Sequence, residues 1–268
     1  MPDSAAVDPG PLRDGLTLLA GMATGMMSGA FGVGGAVIST PAIRLLGASA
    51  AIAVGTTLPS IIPGAVSGAG RYQPRGLIDW ALVRATVPAG IVAAVAGAEL
   101  AHVLPGNGHP LMVMTALVLL WSAVRLIRDP PSRPRSRPVV APTGRRRLVT
   151  TGGIGAAAGL LSGLLGIGGG VLMVPGFQGL LGVPIKRAIA TSLVCVGCFA
   201  VPGTITHTLN GSIDWRFAFW LAVGVVPGAA LGAIFAIRAD DHRLRVTFGS
   251  FLAVIAVIYG VGEVVALL

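Results

Sequence analysis

Ser28-Gly-Ala-Phe-Gly-Val-Gly-Gly-Ala-Val37 is the stretch that decides the fold of this chain, because it occurs a second time. The copy begins 134 residues later and reads Ser162-Gly-Leu-Leu-Gly-Ile-Gly-Gly-Gly-Val171. Both copies lie inside long apolar segments, and each is followed by a proline, Pro41 and Pro175. A glycine inside a helix costs about 1 kcal/mol relative to alanine. We therefore predict that a helix is broken at each glycine cluster.

The composition of the chain predicts a membrane protein. Of its 268 residues, 54% are hydrophobic and only 11% are charged, and the mean hydropathy is +0.84. Because a typical soluble domain is about 25% charged, a water-soluble fold of this length could not bury so much apolar surface. We predict an all-α, polytopic integral membrane protein.

Eight apolar segments approach the roughly 20 residues that a membrane-spanning helix needs. They lie at 15–38, 49–70, 78–101, 109–127, 148–173, 187–206, 213–237 and 244–267. The polar tail that precedes them, 1–14, lacks the basic start and the cleavage site of a signal peptide. We therefore expect the first apolar segment to be part of the mature structure.

The stretch 128–147, between the fourth and fifth segments, is rich in proline and arginine. Such a composition cannot form a packed core, so we interpret this stretch as an extended linker. The positive-inside rule places it in the cytoplasm. It also carries most of the +9 net charge. We explain that charge by topology and attraction to membrane lipid, and we expect no nucleic-acid partner.

The two halves of the chain match well beyond the glycine clusters. The pairs are Gly25 with Gly159, Ser28 with Ser162, Gly32 with Gly166, Gly34 with Gly168, and Pro41 with Pro175. After a shift of one residue, 53–58 pairs with 188–193, and the Gly-x-Ile-Asp-Trp motif at 76–80 pairs with the one at 211–215. The sequence thus predicts two homologous repeats of four segments each, 15–127 and 148–268.

Internal duplication is typical of secondary transporters, whose substrate site lies at the repeat interface, often at broken helices. Unwound backbone at membrane depth is tolerated where it is buried in protein or lines a cavity. Consecutive N–H groups at the clusters could form an anion-binding nest, and a helix beginning after each cluster would add its positive N-terminal end. Close helix packing is the alternative role for glycine. We prefer packing for Gly21, Gly25 and Gly29 and for Gly155, Gly159 and Gly163, and a helix break for the tighter clusters.

These motifs together resemble the TauE/SafE sulfite exporter family. The resemblance rests on Gly32-Val-Gly-Gly and Gly166-Ile-Gly-Gly-Gly with their prolines, on the following Ala-Thr-Ser-like segments, and on the two Asp-Trp motifs. It implies a transporter in the bacterial cytoplasmic membrane that moves a small sulfur-containing anion, such as sulfite or sulfoacetate. Ala36 stands where the second half has Gly170, which suggests that the two halves hold the substrate unequally.

Polar residues near the clusters complete the candidate site. Thr56 and Thr57 match Thr191 and Ser192, and their hydroxyls could either donate to an anion or bond back to their own helix. His207 could bind the substrate or carry a proton, or be an interfacial histidine without a function. The candidate substrate-binding residues are Gly32, Gly34, Gly35, Thr56, Thr57, Gly166, Gly168, Gly169, Gly170, Thr191, Ser192 and His207.

Other chemistry finds little support in the sequence. No acidic residue lies in the middle of an apolar segment, and no nucleotide-binding motif is present. We interpret Cys195 and Cys198 as small apolar residues. A serine hydrolase would pair Ser162 with His207, but Tyr72 occupies the position that matches His207. We therefore expect no enzyme, no catalytic residue, no metal and no cofactor.

The topology has two alternatives. If all eight segments cross the membrane, both termini are cytoplasmic and Lys186 and Arg187 lie outside. If the fifth segment re-enters at its glycine cluster, these two cations return to the cytoplasmic side and the C-terminus lies outside. Repeats with an odd number of crossings would be inverted. We predict a secondary transporter, with another small-anion permease or channel as the alternative, and association into a homodimer remains a second alternative to a single copy.

Overall fold

The computed structural model describes residues 10–103, 109–128, 144–166 and 168–267. Most of the predicted linker and most of the N-terminal tail therefore lie outside the described residues. Within the described part, all extended regular structure is helical and no strand occurs. The helices are α1 Pro11–Phe31, α2 Ala36–Leu45, α3 Ala50–Tyr72, α4 Trp80–Val103, α5 His109–Arg128, α6 Arg145–Leu165, α7 Gly170–Leu181, α8 Ile185–Leu209, α9 Trp215–Arg238 and α10 Asp241–Leu267, with a short 3-10 turn at Gln73–Arg75.

The predicted helix breaks are confirmed. α1 ends at Phe31 and α2 begins at Ala36, and in the same way α6 ends before Gly166 and α7 begins at Gly170. Gly32 and Gly166 adopt the left-handed conformation, with φ of 70° and 67°, which glycine reaches at no steric cost. Their N–H groups donate to the carbonyl oxygens of Ser28 (2.7 Å) and Ser162 (2.9 Å), which closes the last turn of each helix.

These breaks change the number of elements. The predicted first segment, 15–38, is the pair α1 and α2, and the predicted fifth segment, 148–173, lies in the pair α6 and α7. The described residues thus form ten α-helices where the sequence suggested eight segments, because each glycine cluster reverses the chain instead of kinking one helix. Both short helices also extend beyond the predicted ends, to Leu45 and Leu181.

Among the described residues, four helical stretches are long and apolar enough to cross a membrane. They are Ile52–Arg75, Trp80–Leu100, Ile185–Leu209 and Trp215–Arg238. Three shorter apolar helical stretches accompany them, Ala36–Leu45, Ala116–Leu126 and Gly170–Leu181. An all-helical, multi-pass membrane protein is therefore the class that the structure supports.

Two seams of small residues join helices that run in the same direction. Along α1, Gly21, Gly25 and Gly29 lie in turn against the carbonyl groups of Leu221, Val225 and Ala229 in α9. Along α6, Gly155, Gly159 and Gly163 lie in turn against Thr86, Gly90 and Ala94 in α4. Residue numbers rise together in both seams, so each pair of helices is parallel. Because a side chain would overlap the facing backbone, these glycines serve close packing as predicted.

Contacts of α3 and α8 define the two ends of the bundle. α3 is antiparallel to α8, since Leu58, Ala65 and Gly68 face Gly203, Gly197 and Leu193 in that order. α3 runs parallel to α9, since Gly64 lies against Val225 and Gly68 against Ala229. We call face 1 the end at which α1, α3 and α9 begin, and face 2 the end at which α4, α6, α8 and α10 begin.

The predicted helix starts at the Asp-Trp motifs are also confirmed. Asp214 caps α9, where its carboxylate accepts hydrogen bonds from the N–H groups of Arg216 (3.0 Å) and Phe217 (3.2 Å). Asp79 does the same before α4, with Ala81 (3.0 Å) and Leu82 (3.1 Å). Aspartate at this position satisfies N–H groups that have no partner inside the helix. The two caps therefore set where the fourth helix of each half, α4 or α9, begins to cross the bundle.

Candidate functional site

The two glycine clusters, which are far apart in the sequence, meet inside the protein. A Cβ atom built on Gly168 would lie 3.0 Å from the Val33 carbonyl oxygen and 3.5 Å from Gly34 Cα. A Cβ atom on Gly170 would overlap the Gly32 carbonyl oxygen. Backbone therefore packs directly on backbone at this contact, which we call the crossing. No residue larger than glycine would allow it.

This contact explains one difference between the halves. Gly170 needs to be glycine because it touches Gly32, whereas Ala36, at the matching position of the first half, has room for its methyl group and is buried. The pairing of the two breaks is thus not symmetric in detail. The sequence showed this substitution but not its cause.

The backbone of both clusters is held in conformations that favour glycine. Gly34 and Gly35 have φ of 88° and 82°, and Gly168 and Gly169 have φ of 88° and 68°. Gly35 and Gly169 precede α2 and α7 as their N-caps, and neither helix receives a side-chain cap. Two helix N-termini without a side-chain cap therefore begin beside the crossing. The Gly170 N–H group already donates to the Gly168 carbonyl oxygen at 2.8 Å. Helix N-termini favour anions.

Each break is covered by a helix of the other half. Gly32 lies against Ile189 and Ser192 of α8, and Gly34 lies against Val196 of the same helix. In the opposite sense, Gly166 lies against Val54 of α3. Of the predicted site residues on α3 and α8, Ser192 is thus brought against a glycine cluster.

Ser192 and Thr57 donate hydrogen bonds from their hydroxyl groups to backbone carbonyl oxygens. The Ser192 hydroxyl donates to the carbonyl oxygens of Ile189 (2.9 Å) and Gly32 (3.0 Å), so it ties α8 to the first break. Thr57 donates to the Val54 carbonyl oxygen at 2.9 Å, within its own helix. The sequence left two roles for these hydroxyls, donation to an anion or to the backbone. In the structure both hydroxyls donate to backbone carbonyl oxygens.

Thr56 and Thr191 instead accept hydrogen bonds across the halves. Thr56 Oγ1 accepts from the N–H group of Asp214 at 2.9 Å, and Thr191 Oγ1 accepts from the N–H group of Asp79 at 3.0 Å. Both threonines are fully buried. The Thr56–Asp214 hydrogen bond lies towards face 1 and the Thr191–Asp79 hydrogen bond lies towards face 2. We call these two hydrogen bonds the ties, because they join the two halves at opposite ends of the bundle.

His207 lies near face 1, in the last turn of α8. Its side chain is 8% exposed, and its Nδ1 would lie 3.1 Å from a Cβ atom on Gly55. Gly55 is the residue after Val54, which covers Gly166. The structure therefore places His207 next to the helix that covers the second break.

The sequence did not point to Tyr72 or Thr24, which also border this region. The Tyr72 hydroxyl, fully buried, donates to the Gly29 carbonyl oxygen at 2.7 Å and joins α3 to the end of α1. The Cγ2 atom of Thr24 lies against Gly35, together with Ser28 Cβ. A single threonine or tyrosine in an apolar helix carries no signal in a sequence, because its neighbour in space decides its role.

The side chains around the clusters are uncharged, and half of them are polar. The described side chains that lie against the glycines are those of Thr24, Ser28, Val54, Ala158, Ser192 and Val196. Backbone N–H groups and hydroxyls are therefore the donors that this region offers to a ligand. In the described part of the chain, no group of three or more His, Cys, Asp or Glu residues is placed to hold a metal ion.

Comparisons with known proteins agree with this architecture. Residues 17–259 match the family model described as Sulfite exporter TauE/SafE. A probable membrane transporter protein of Xylella fastidiosa is 26% identical over 246 residues, covering 90% of this chain and 93% of its own length. The probable membrane transporter protein YjnA of Bacillus subtilis is 27% identical over 245 residues, covering 88% of this chain and 96% of its own. No solved structure gives a significant match.

Proposed function

We propose that this chain, which belongs to the TauE/SafE sulfite exporter family, is a secondary transporter that exports small sulfur-containing anions such as sulfite or sulfoacetate. Its relatives are named as membrane transporter proteins, and its long apolar helices fit a multi-pass membrane protein. The observation that carries the proposal is the contact between the two glycine breaks, Gly34 against Gly168.

The chemistry of this crossing suits a small anion that is bound and then released. The N-terminal ends of α2 and α7, which have no side-chain cap, carry partial positive charge. A buried arginine would add a full charge, and the attraction of a full charge in a low-dielectric site is far stronger than that of partial charges. A site made of backbone N–H groups therefore binds the anion without trapping it.

The two halves would form inverted repeats. Five helices of similar length follow in the same order in each half, α1–α5 and α6–α10. α1 begins at face 1, whereas α6 begins at face 2, as their parallel partners α9 and α4 indicate. The predicted duplication and the re-entrant alternative for the first segment of each half are both supported by this arrangement. Inverted repeats place a substrate site at their interface.

The reciprocal ties offer a basis for alternating access. The hydrogen bond between Thr56 and Asp214 would hold face 1 closed, and the one between Thr191 and Asp79 would hold face 2 closed. Opening one face would break one tie and keep the other. The substrate at the crossing would then reach one side of the membrane at a time.

The distribution of charge supports one orientation in the membrane. By the helix ends at which they stand, the described cations near face 1 are Arg13, Arg44 and Arg216. Those near face 2 are Arg71, Arg75, Arg84, Arg125, Arg145, Arg146, Arg147, Lys186, Arg187, Arg238, Arg243 and Arg245. By the positive-inside rule, face 2 is cytoplasmic. Its cations would contact the anionic headgroups of the cytoplasmic leaflet, and the described start of α1 would lie on the outside of the bacterial inner membrane.

A panel of uptake measurements in proteoliposomes tests this function. Sulfite, sulfoacetate, sulfate, taurine and chloride are offered with and without a pH gradient. We expect uptake of sulfite or sulfoacetate above that of chloride. Uptake of chloride alone would replace the proposal by a permease or channel for another small anion. A Ser162→Ala variant that keeps full uptake would remove the hydrolase alternative.

A further inference from the structure

We propose that the two glycine breaks bind the anion unequally, and that the break between α1 and α2 holds it, with the Thr24 hydroxyl as a donor. This inference rests on the proposed transport function and names the half that binds the substrate. It depends on the surroundings of Gly35 and on their difference from those of Gly169.

The Thr24 hydroxyl is buried and makes no hydrogen bond. Thr24 is 2% exposed, and its Oγ1 atom has no partner within the described structure. Threonine in a helix commonly bonds to the carbonyl oxygen four residues earlier. Thr17, Thr151 and Thr204 of this chain do so, at 2.7 Å each. A buried polar atom without a partner calls for an explanation, and an unseen ion or water is one of the usual ones.

Thr24 lies where an anion at the start of α2 would need a donor. A Cβ atom on Gly35, the N-cap of α2, would lie 2.5 Å from Thr24 Cγ2, 3.2 Å from the Thr24 carbonyl oxygen and 3.4 Å from Ser28 Cβ. The Thr24 hydroxyl is attached to the same carbon as Cγ2, so it borders the same space. The start of α2 has no side-chain cap. The unpartnered hydroxyl and this helix N-terminus therefore lie beside each other.

The second break lacks this donor. At the matching position of α6 stands Ala158, whose Cβ lies 3.2 Å from a Cβ atom built on Gly169. Alanine offers no hydrogen bond. An anion at the start of α7 would therefore have fewer donors than one at the start of α2.

Two further pairs show the same bias. Ser39 and Ser60, which are buried in the first half, match Met173 and Cys195 in the second half. Each of the two serines donates within its own helix, Ser39 to the Gly35 carbonyl oxygen and Ser60 to that of Thr57. At these matched positions the first half therefore carries hydroxyl side chains, whereas the second half carries mostly apolar ones.

Sulfite uptake by the purified full-length protein in proteoliposomes tests the proposal. Thr24→Val removes the hydroxyl at nearly constant volume, and Thr24→Ser keeps it. The matched control is Thr86→Val, because Thr86 is also fully buried with an unpartnered hydroxyl, but it lies in the seam between α4 and α6. We expect Thr24→Val to raise the KM for sulfite about ten- to hundredfold, and Thr24→Ser and Thr86→Val to stay within about twofold of the unmodified protein.

The outcomes separate this inference from the function on which it rests. If the unmodified protein transports none of the anions, the proposed function fails. If it transports sulfite and Thr24→Val has an unchanged KM, only the assignment to the first break is overturned. Equal increases in Thr24→Val and Thr86→Val would also overturn it, since they would reflect packing. Should Thr24→Val not reach the membrane, Thr24→Ala is measured in its place under the same criteria.

Discussion

The N–H group of Asp79 donates a 3.0 Å hydrogen bond to Thr191 Oγ1, 112 residues further along the chain. The N–H group of Asp214 makes the same contact with Thr56 Oγ1, 158 residues earlier, at 2.9 Å. Each aspartate also caps the helix that follows it. The start of α4 is thereby tied to α8, and the start of α9 to α3. The two motifs that looked like simple helix starts are therefore contacts between the halves.

Removal of the Thr191 hydroxyl should destabilise the protein. Thr191→Val leaves the Asp79 N–H group without its acceptor in a buried place, and an unsatisfied buried donor costs about 1–3 kcal/mol. We expect the Tm in detergent to fall by several degrees, as measured by scanning fluorimetry. Thr191→Ser keeps the oxygen and should remain close to the unmodified protein. Equal Tm values for Thr191→Val and the unmodified protein would show that this hydrogen bond does not contribute to the stability of the protein.

The seam between α1 and α9 should not tolerate side chains. Gly25 faces the Val225 carbonyl oxygen, which a Cβ atom would overlap, and overpacking of a core costs about 1–3 kcal/mol. Gly25→Ala is therefore expected to lower the Tm, although alanine is the better helix former. Gly15→Ala in the same helix is the matched control, because a Cβ atom there meets nothing within 4 Å. A Tm that rises in both variants would contradict the parallel packing of α1 and α9.

Inverted halves place the ends of α3 and α8 on opposite sides of the membrane. Gln73 follows α3 near face 2 and Asn210 follows α8 near face 1, and both are exposed. We expect a membrane-impermeant maleimide to label Asn210→Cys in intact spheroplasts, and to label Gln73→Cys only after permeabilisation. Both variants are made in a background without Cys195 and Cys198.

Two other labelling patterns would contradict different parts of this account. Labelling of both cysteines from one side would exclude inverted halves. The reverse pattern, with Gln73→Cys labelled from outside, would keep the inverted halves but overturn the assignment of face 2 to the cytoplasm.

Features that depend on local chemistry were predictable from the sequence. The breaks at Gly32 and Gly166 follow from the cost of glycine in a helix, the seam at Gly25 from its spacing of four residues, and the cap at Asp214 from its side chain. Each of these signals lies within a few residues of the chain. The all-helical class followed from composition in the same way.

Features that depend on distant partners were not predictable. The sequence made Thr56 and Thr191 candidate donors to an anion, but the hydrogen bonds that they accept from Asp214 and Asp79 depend on which helices meet. The reversal of the chain at each cluster, which turns two segments into four helices, depends on packing of the clusters against each other and against α3 and α8. The role of Thr24 likewise depends on Gly35, to which no sequence pattern connects it.

Sulfite uptake by a Gly168→Val variant tests the central claim most directly. Gly168 has a φ of 88° and contacts Val33, Gly34 and Val196, so a branched side chain there would separate the two breaks. Gly169→Val, with a φ of 68°, should act in the same way. Gly152→Val in α6 is the control, because a Cβ atom at Gly152 meets nothing within 4 Å.

All of these variants are compared at equal amounts of protein in the membrane. We predict that Gly168→Val abolishes sulfite uptake while Gly152→Val retains it. Full uptake by Gly168→Val would contradict a substrate site at the crossing of the two breaks.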